Sequence, residues 1–280
     1  MMKRYKWNLL IILIFIVGLS VMLYPNISNY WNSQTQSKVV ATYNETLDDI
    51  PRMDYDDMFK EAEAYNEALK NIDFPLRNFD LVEGYDDILN VSGTGIMGYI
   101  TIEKINVELP IYHGTSEGIL QTAVGHMQGS SLPTGGTGNH IVLSAHSGLS
   151  DAELFTNLDQ MEEGDTFCIS VLDRTLTYQV DQILVVEPQE LEEIYMDAEH
   201  DYCTLVTCTP FGVNSHRLLV RGVRVEENTK TTSPLADAYQ IDTDIVTFAI
   251  FIILLILTLL IRVLWRCIRG RKNKVKGEAQ

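Results

Sequence analysis

Cysteine is scarce in this 280-residue chain: Cys168, Cys203, Cys208 and Cys267 are all it has. A chain this long with so few is not a disulfide scaffold. No His, Cys and Asp fall at zinc-ligand spacing. Asp54, Asp56 and Asp57 read as the acidic start of a helix, which the helix dipole favours, rather than as a calcium loop. Gly135-Gly136-Thr137-Gly138 is followed by no Lys with Ser or Thr, so it reads as a turn and not a phosphate-binding loop. No internal repeat is evident. Basic charge is also thin outside the two ends. Lys3, Arg4 and Lys6 at one end and Arg262, Arg266, Arg269, Arg271, Lys272, Lys274 and Lys276 at the other hold ten of the 21 basic residues but only one of the 38 acids, Glu278. The stretch between carries 11 basic against 37 acidic residues, a net charge of −26. That excludes a nucleic acid or other phosphate-backbone ligand. It suits a soluble acidic surface and cationic partners such as lysine-bearing proteins.

Two long apolar runs are present. One spans Trp7 to Leu23 behind the first basic group, and the other spans Ile245 to Ile261 without a charge, ahead of the second. Each is at the short end of the roughly 17–25 residues that a transmembrane helix needs. With basic residues on the terminal side of both, the positive-inside rule predicts two membrane passes, both termini cytoplasmic and the intervening domain extracellular. A cleaved signal peptide is the alternative for the first run, but Leu23-Tyr24-Pro25 offers no small-x-small cleavage site. The chain then divides into a cytoplasmic start (1–6), an anchor (7–24), a polar stalk (25–50), a helix with an irregular link (51–84), a strand-rich domain (85–226), a polar tether (227–244), a second membrane helix (245–265) and a basic cytoplasmic tail (266–280).

Within 51–72, Met58, Ala62, Tyr65, Leu69 and Ile72 recur at spacings of 4, 3, 4 and 3, an apolar helix stripe. Short alternating or apolar runs then predict strands over 98–102, 107–112, 140–145, 166–172, 175–186, 202–208 and 217–225, separated by Gly, Asn, Asp and Pro. Short helices are expected at Glu117–Val124 and Glu153–Asp159. Seven or eight strands with few helices make the fold class mainly β, a closed or nearly closed barrel.

One short region carries chemistry. Thr204-Leu205-Val206-Thr207-Cys208 ends an apolar run at Thr209-Pro210-Phe211-Gly212, a turn signal, so Cys208 stands at a strand end where a side chain is reachable. An accessible thiol there can be a nucleophile. Cys203 is five residues away on the same strand and points to the opposite face, so the two cannot bridge. If 202–208 and 217–225 form a hairpin, Arg217 lies nearly opposite Cys208. Arg221 shares that face but is four residues on, about 13 Å at roughly 3.3 Å per residue, which leaves it for structure or a secondary role. His146 ends the strand of Ile141–Ala145 and is the first choice as acid or base, with His113 after Leu109–Tyr112 as the alternative.

The order His, TLxTC, then Arg resembles the sortases, membrane-bound cysteine transpeptidases of Gram-positive bacteria. Ala64-Tyr65-Asn66, Gly98-Tyr99-Ile100, Leu109–Thr115, Leu154–Leu158 and His216–Gly222, with the N-terminal helix and second anchor, are similar to class C, the pilin-polymerising type. The resemblance covers about residues 60–265. It implies an eight-stranded sortase β-barrel with short helices, an N-terminal helical extension and two flanking transmembrane helices. By the same resemblance Cys208 is the nucleophile that attacks the Thr–Gly carbonyl of an LPxTG-like signal. His146 is the acid and base, and Arg217 positions substrate or stabilises the oxyanion. The implied partners are pilin subunits with such signals and an acceptor lysine, the membrane, and a peptidoglycan precursor. No cofactor and no metal are implied. Class C enzymes usually carry an Asp-Pro-aromatic lid. Here Asp73-Phe74-Pro75 and Asn78-Phe79-Asp80 depart from that order, so Phe74, Phe79, Asp73 and Asp80 are the lid candidates. Ala145 and Ser147 replace the family's usual Gly and Arg beside the histidine. Leu132-Pro133-Thr134-Gly135-Gly136 resembles a sorting signal but lacks one residue. The competing expectations are a housekeeping-type sortase or wall-associated cysteine peptidase, and a non-catalytic tethered surface domain.

Overall fold

Among the described residues there are eight strands, all but β3 on runs that the sequence predicts: β1 (Ile96–Ile102), β2 (Val107–His113), β3 (Val124–His126), β4 (His140–Ser144), β5 (Thr166–Val171), β6 (Arg174–Val186), β7 (Tyr202–Thr209) and β8 (His216–Arg224). The computed structural model describes residues 2–149, 152–190, 192–226 and 258. The chain divides into two units, Met1–Glu227 and Asn228–Gln280. The expected tether, second membrane helix and basic tail therefore lie outside the described residues, Thr258 excepted.

The strands close into a barrel in the order β1-β2-β3-β4-β7-β8-β6-β5. Two of the pairings, β2 with β3 and β4 with β7, are parallel, and the others are antiparallel. Parallel neighbours cannot be joined by a tight turn, so residues 145–201 leave β4, build β5 and β6 on the far side and return as β7. Fully buried Ile100, Ile111, Leu143, Phe167, Ile169, Tyr178, Leu205 and Val220 fill the interior. Phe167 and Tyr178 stack, their ring centroids 5.7 Å apart. The stack requires Gly222 on β8, because a Cβ there would lie 2.8 Å from the Phe167 ring.

Helices α1 (Met2–Asp48) and α2 (Arg52–Lys70) precede the barrel. The stripe on α2 behaves as its spacing requires: Ala62, Tyr65 and Leu69 are buried in the main core. Asn66 on the same face pins the helix. Its amide nitrogen donates to Leu132 O and Thr134 Oγ1, both at 3.0 Å, and its oxygen accepts the Leu132 N–H at 2.7 Å. On α1, the Tyr43 hydroxyl donates to Met97 O and accepts the Leu172 N–H.

Four expectations need correction. The stretch expected as a stalk is helical as far as Asp48, with Pro25 inside the helix. Two transmembrane helices are not supported: among the described residues no helix is long and apolar enough to cross a membrane. Strand β3 was not expected, and a helix here runs only over Glu117–Leu120 (α3). Three residues show no periodicity, and β3 forms because its backbone is claimed by β2 on one side and β4 on the other. Finally, Glu153–Asp159 is turns ending in one 3-10 turn over Leu158–Gln160. Leu154 takes a positive φ of 42°, which no helix continues, while Leu154, Phe155 and Leu158 all reach the core.

Candidate active site

The barrel pairing brings three residues into one row. The β7–β8 register sets Cys208 directly opposite Arg217. The parallel β4–β7 register runs to Ser144 opposite Val206, so two residues further on His146 falls level with Cys208. Neighbouring strands are ~4.8 Å apart, so the three side chains share one short stretch of surface. They also share a face. Cys203 and Leu205 belong to the main core, whereas Val142, Val206 and Leu219 form a smaller cluster with Ile194. His146, Cys208 and Arg217 follow the parity of that second cluster and emerge at its end, on the outer face of the barrel.

Local bonds hold the row. Ala145 N–H donates to Val206 O at 3.2 Å, and Thr207 Oγ1 donates back to Ala145 O at 2.8 Å. Ser147 Oγ donates to Cys208 O at 2.6 Å. The hydroxyl at position 147 thus ties the loop of the histidine to the backbone of the cysteine. Phe155 N–H donates to His146 O at 3.1 Å, anchoring the loop from its other side. Gly148 has a φ of +75°, and a Cβ there would lie 3.1 Å from the Phe211 ring. Phe211, itself 70% exposed, so lies along the loop of the histidine from the β7–β8 turn.

Each of the six histidines now has a place. His126 and His140 are buried, and desolvation lowers both to about 4. His126 is held by Ser131 O and the Tyr85 hydroxyl, and His140 by Tyr195 O and Thr204 Oγ1. His113, the alternative acid or base, has Gly95 O 2.9 Å from Nδ1 and Ile88 O 2.8 Å from Nε2. Both of its nitrogens therefore fasten the approach to β1, and it does not join the row. His200 pairs with Asp197 and His216 with Ser215. His146 alone is beside the cysteine, its side chain 25% exposed, with Nε2 3.4 Å from Glu117 Oε1.

The arginines separate as the hairpin spacing requires. Arg221 makes a two-pronged pair with Asp181, at 3.1 and 2.7 Å, and lies over the Tyr202 ring at 4.2 Å. Among the described residues Arg217 donates only to backbone carbonyls, Asn214 O at 3.3 Å and His216 O at 3.1 Å. Among the described residues no carboxylate pairs with it, so its charge is available to a ligand. Cys168, Cys203 and Cys208 are all free. Burial pushes the Cys203 thiol well above its ordinary value, which keeps it neutral and inert. Cys208 is partly exposed.

The lid candidates are placed less as expected. Phe74, with a φ of 55°, is 61% exposed and meets the Tyr195 ring edge-on. Phe79 and Asp80 start an exposed 3-10 turn, and Asp73 contributes its carbonyl to Asn78 Nδ2 at 2.6 Å. Leu76, apolar in the same link but not among the lid candidates, packs on the outer-face cluster of Val142, Ile194, Val206 and Leu219. Its backbone crosses Gly129 so closely that a Cβ there would lie 2.9 Å from Leu76 Cα. The place of Glu117 beside His146 was missed, as were the bonds of Ser147 and Thr207. Their partners lie 29 to 62 residues away, beyond any local pattern.

The buried histidines make a pH prediction. Each has a folded value of about 4 against 6.5, so the unfolded chain binds more protons between these limits. Their stability is whole above pH 6.5 and is lost as the pH falls toward 4. At pH 5 the loss is about 2 kcal/mol for each, at ~1.4 kcal/mol per tenfold in proton activity. Asp201, raised mainly by burial, titrates with the opposite sign and offsets part of this at the acid end. Thermal unfolding should therefore show a midpoint several degrees lower at pH 5 than at pH 7. A midpoint independent of pH over that range would refute neutral burial of His126 and His140.

Residues 100–225 match a family model described as a sortase domain. The chain is 31% identical to Sortase D of Bacillus subtilis (strain 168) over 131 residues, 46% of this chain and 63% of that protein's length. Among solved structures, sortase C1 from Streptococcus agalactiae is 43% identical with a TM-score of 0.63, and the match covers 68% of this chain and all of that one (100%). Sortase C of Streptococcus pneumoniae is 41% identical with a TM-score of 0.61, covering 68% of this chain and 97% of the other.

Proposed function

The chain belongs to the sortase family, and we propose that it works there as a class C enzyme, a cysteine transpeptidase that joins pilin subunits. The observation that carries this reading is the row His146, Cys208 and Arg217 across β4, β7 and β8. The similar sortases C of the two streptococci support the class, and the study of the pneumococcal one concerns pilin substrate specificity.

The chemistry follows from the row. Cys208 Sγ, as thiolate, attacks the Thr–Gly carbonyl carbon of an LPxTG-like signal. Arg217, unpaired by any described carboxylate, stabilises the charge that develops on the carbonyl oxygen. The C–N bond breaks as His146 passes a proton to the departing amine, leaving a thioester on Cys208. A lysine amine of the next pilin then attacks the thioester and gives its proton to His146. The C–S bond breaks, an isopeptide bond forms and the thiolate is regenerated. The acidic stretch between the two basic ends, net −26, favours a lysine-bearing partner and work at the outer face of the cell membrane. Incubating the full chain with candidate pilins and mapping the product by mass spectrometry tests this. An isopeptide from the signal's Thr to a pilin lysine is expected. Release of a free acid with no cross-link would favour the hydrolytic peptidase reading instead.

The segment 73–82 serves in this reading as a cover over the outer-face cluster, with Leu76 as its apolar foot. Leu76→Asp should lift the cover and raise the rate of Cys208 alkylation by iodoacetamide several-fold. Phe74→Ala, which removes an exposed ring, should change it little. An unaltered rate in Leu76→Asp would mean that the segment does not guard the thiol.

A further inference from the structure

Glu117 is not among the residues that the row or the family motif brings forward, yet it touches the histidine. It begins α3, where Ile119 N–H and Leu120 N–H both donate to Ser116 O at 3.0 Å. Gln121 Nε2 donates to Glu117 Oε1 at 3.0 Å, and the same oxygen is 3.4 Å from His146 Nε2. The helix is seated on the sheet that carries His146. Leu120 packs over Gly125 of β3 so closely that a Cβ there would lie 3.1 Å from it, and Gly125 pairs with Ser144 of β4. On its other side, Gln36 Nε2 of α1 donates to Thr122 O at 2.9 Å. The carboxylate is thus carried on a braced element rather than a free loop.

A neutral imidazole has one N–H and one lone pair. A carboxylate only accepts, so the nitrogen facing Glu117 must carry the hydrogen. That nitrogen is Nε2, and among the described residues Nδ1 has no hydrogen-bond partner. The two ring nitrogens point away from each other, so with Nε2 committed to Glu117 the lone pair left for other partners is on Nδ1. We propose that Glu117 is a positioning residue for His146: it holds Nε2–H and so makes Nδ1 the nitrogen that exchanges protons with Cys208 and with the amines. This rests on the cysteine transpeptidase reading. In the forward step Nδ1 takes the proton of Cys208 Sγ–H, giving thiolate and imidazolium. The Nδ1 proton then goes to the departing amine as the C–N bond breaks, and the ring returns to its Nε2–H form. When the lysine amine attacks, its proton goes to Nδ1 as the C–S bond breaks.

The test is nitrogen NMR of the full chain with 15N-labelled histidine, the His146 signals assigned by their loss in His146→Gln. In the wild type, Nε2 should be pyrrole-like and Nδ1 pyridine-like. Glu117→Ala should move both toward the average of two exchanging tautomers. Glu117→Gln, whose amide oxygen still accepts, should keep the wild-type pattern. Glu117 is 70% exposed, so its loss to Ala should lower kcat only about three- to fivefold, the scale of an exposed charge contact, with KM unchanged. His146 signals that are the same in the wild type and Glu117→Ala, or a wild-type Nδ1–H tautomer, would overturn the assignment. The NMR arm needs no substrate. If the tautomer follows Glu117 but no pilin is joined, the transpeptidase reading fails and the positioning role stands.

Discussion

Cys208→Ala is expected to abolish isopeptide formation, by about 10⁴-fold or more, because no other group in the row can form the acyl intermediate. Cys203 cannot substitute for it. It faces the main core, and burial keeps its thiol protonated. The loss should leave the fold intact. Cys208 is partly exposed at the end of β7, so trimming its sulfur opens no cavity in the core. Its carbonyl, which receives the Ser147 hydroxyl, is kept. His146→Ala should cost nearly as much as Cys208→Ala, and the double variant little more, since nucleophile and base act as a unit. Cross-linked product measured by mass spectrometry, beside a thermal melt for each variant, checks this. Activity within tenfold of wild type in Cys208→Ala would sink the assignment. A non-catalytic surface domain predicts no change at all.

Arg217→Ala and Arg221→Ala should fail in opposite ways. Loss of Arg217 should lower kcat by about 10²–10³, the size found for an oxyanion donor, with an unchanged unfolding midpoint. Its bonds to Asn214 O and His216 O are exposed and local. Loss of Arg221 removes the two-pronged bond to Asp181 and the contact over Tyr202. That should destabilise the barrel by about 1–2 kcal/mol, because the half-buried carboxylate loses its donor while solvent still reaches it. The turnover of the folded fraction should stay close to wild type. The measurement is a pair of melts and a pair of kcat values. If Arg221→Ala lost turnover and Arg217→Ala lost only stability, the roles drawn from the hairpin register would be reversed.

How much of this could be read from residues alone depended on distance along the chain. The β7–β8 hairpin was legible because Thr209-Pro210-Phe211-Gly212 marks its turn and period 2 then dictates which residues face each other. Cys208 opposite Arg217 followed from counting, as did Arg221's displacement from the site. The α2 stripe was legible for the same reason. Three things were not. Strand β3 is too short to show a period. The expected helix at Glu153–Asp159 gave way because Leu154 turns to a positive φ of 42° while Leu154, Phe155 and Leu158 are drawn into the core. The cover over the outer face rests on Leu76 rather than on the lid candidates Phe74 and Phe79, because a link with several apolar residues does not show by itself which of them meets the barrel.

The sequence by itself placed Cys208 at a reachable strand end opposite Arg217 and indicated a barrel, because these rest on alternation and turn chemistry within short stretches. Tertiary structure decided between His146 and His113 and set the contacts of Ser147 and Glu117 around the row. The reason lies in the parallel pairing of β4 with β7. Such a pairing carries no local turn signal, so its register is set only when the intervening strands have closed the barrel and buried Leu143 and Leu205 together.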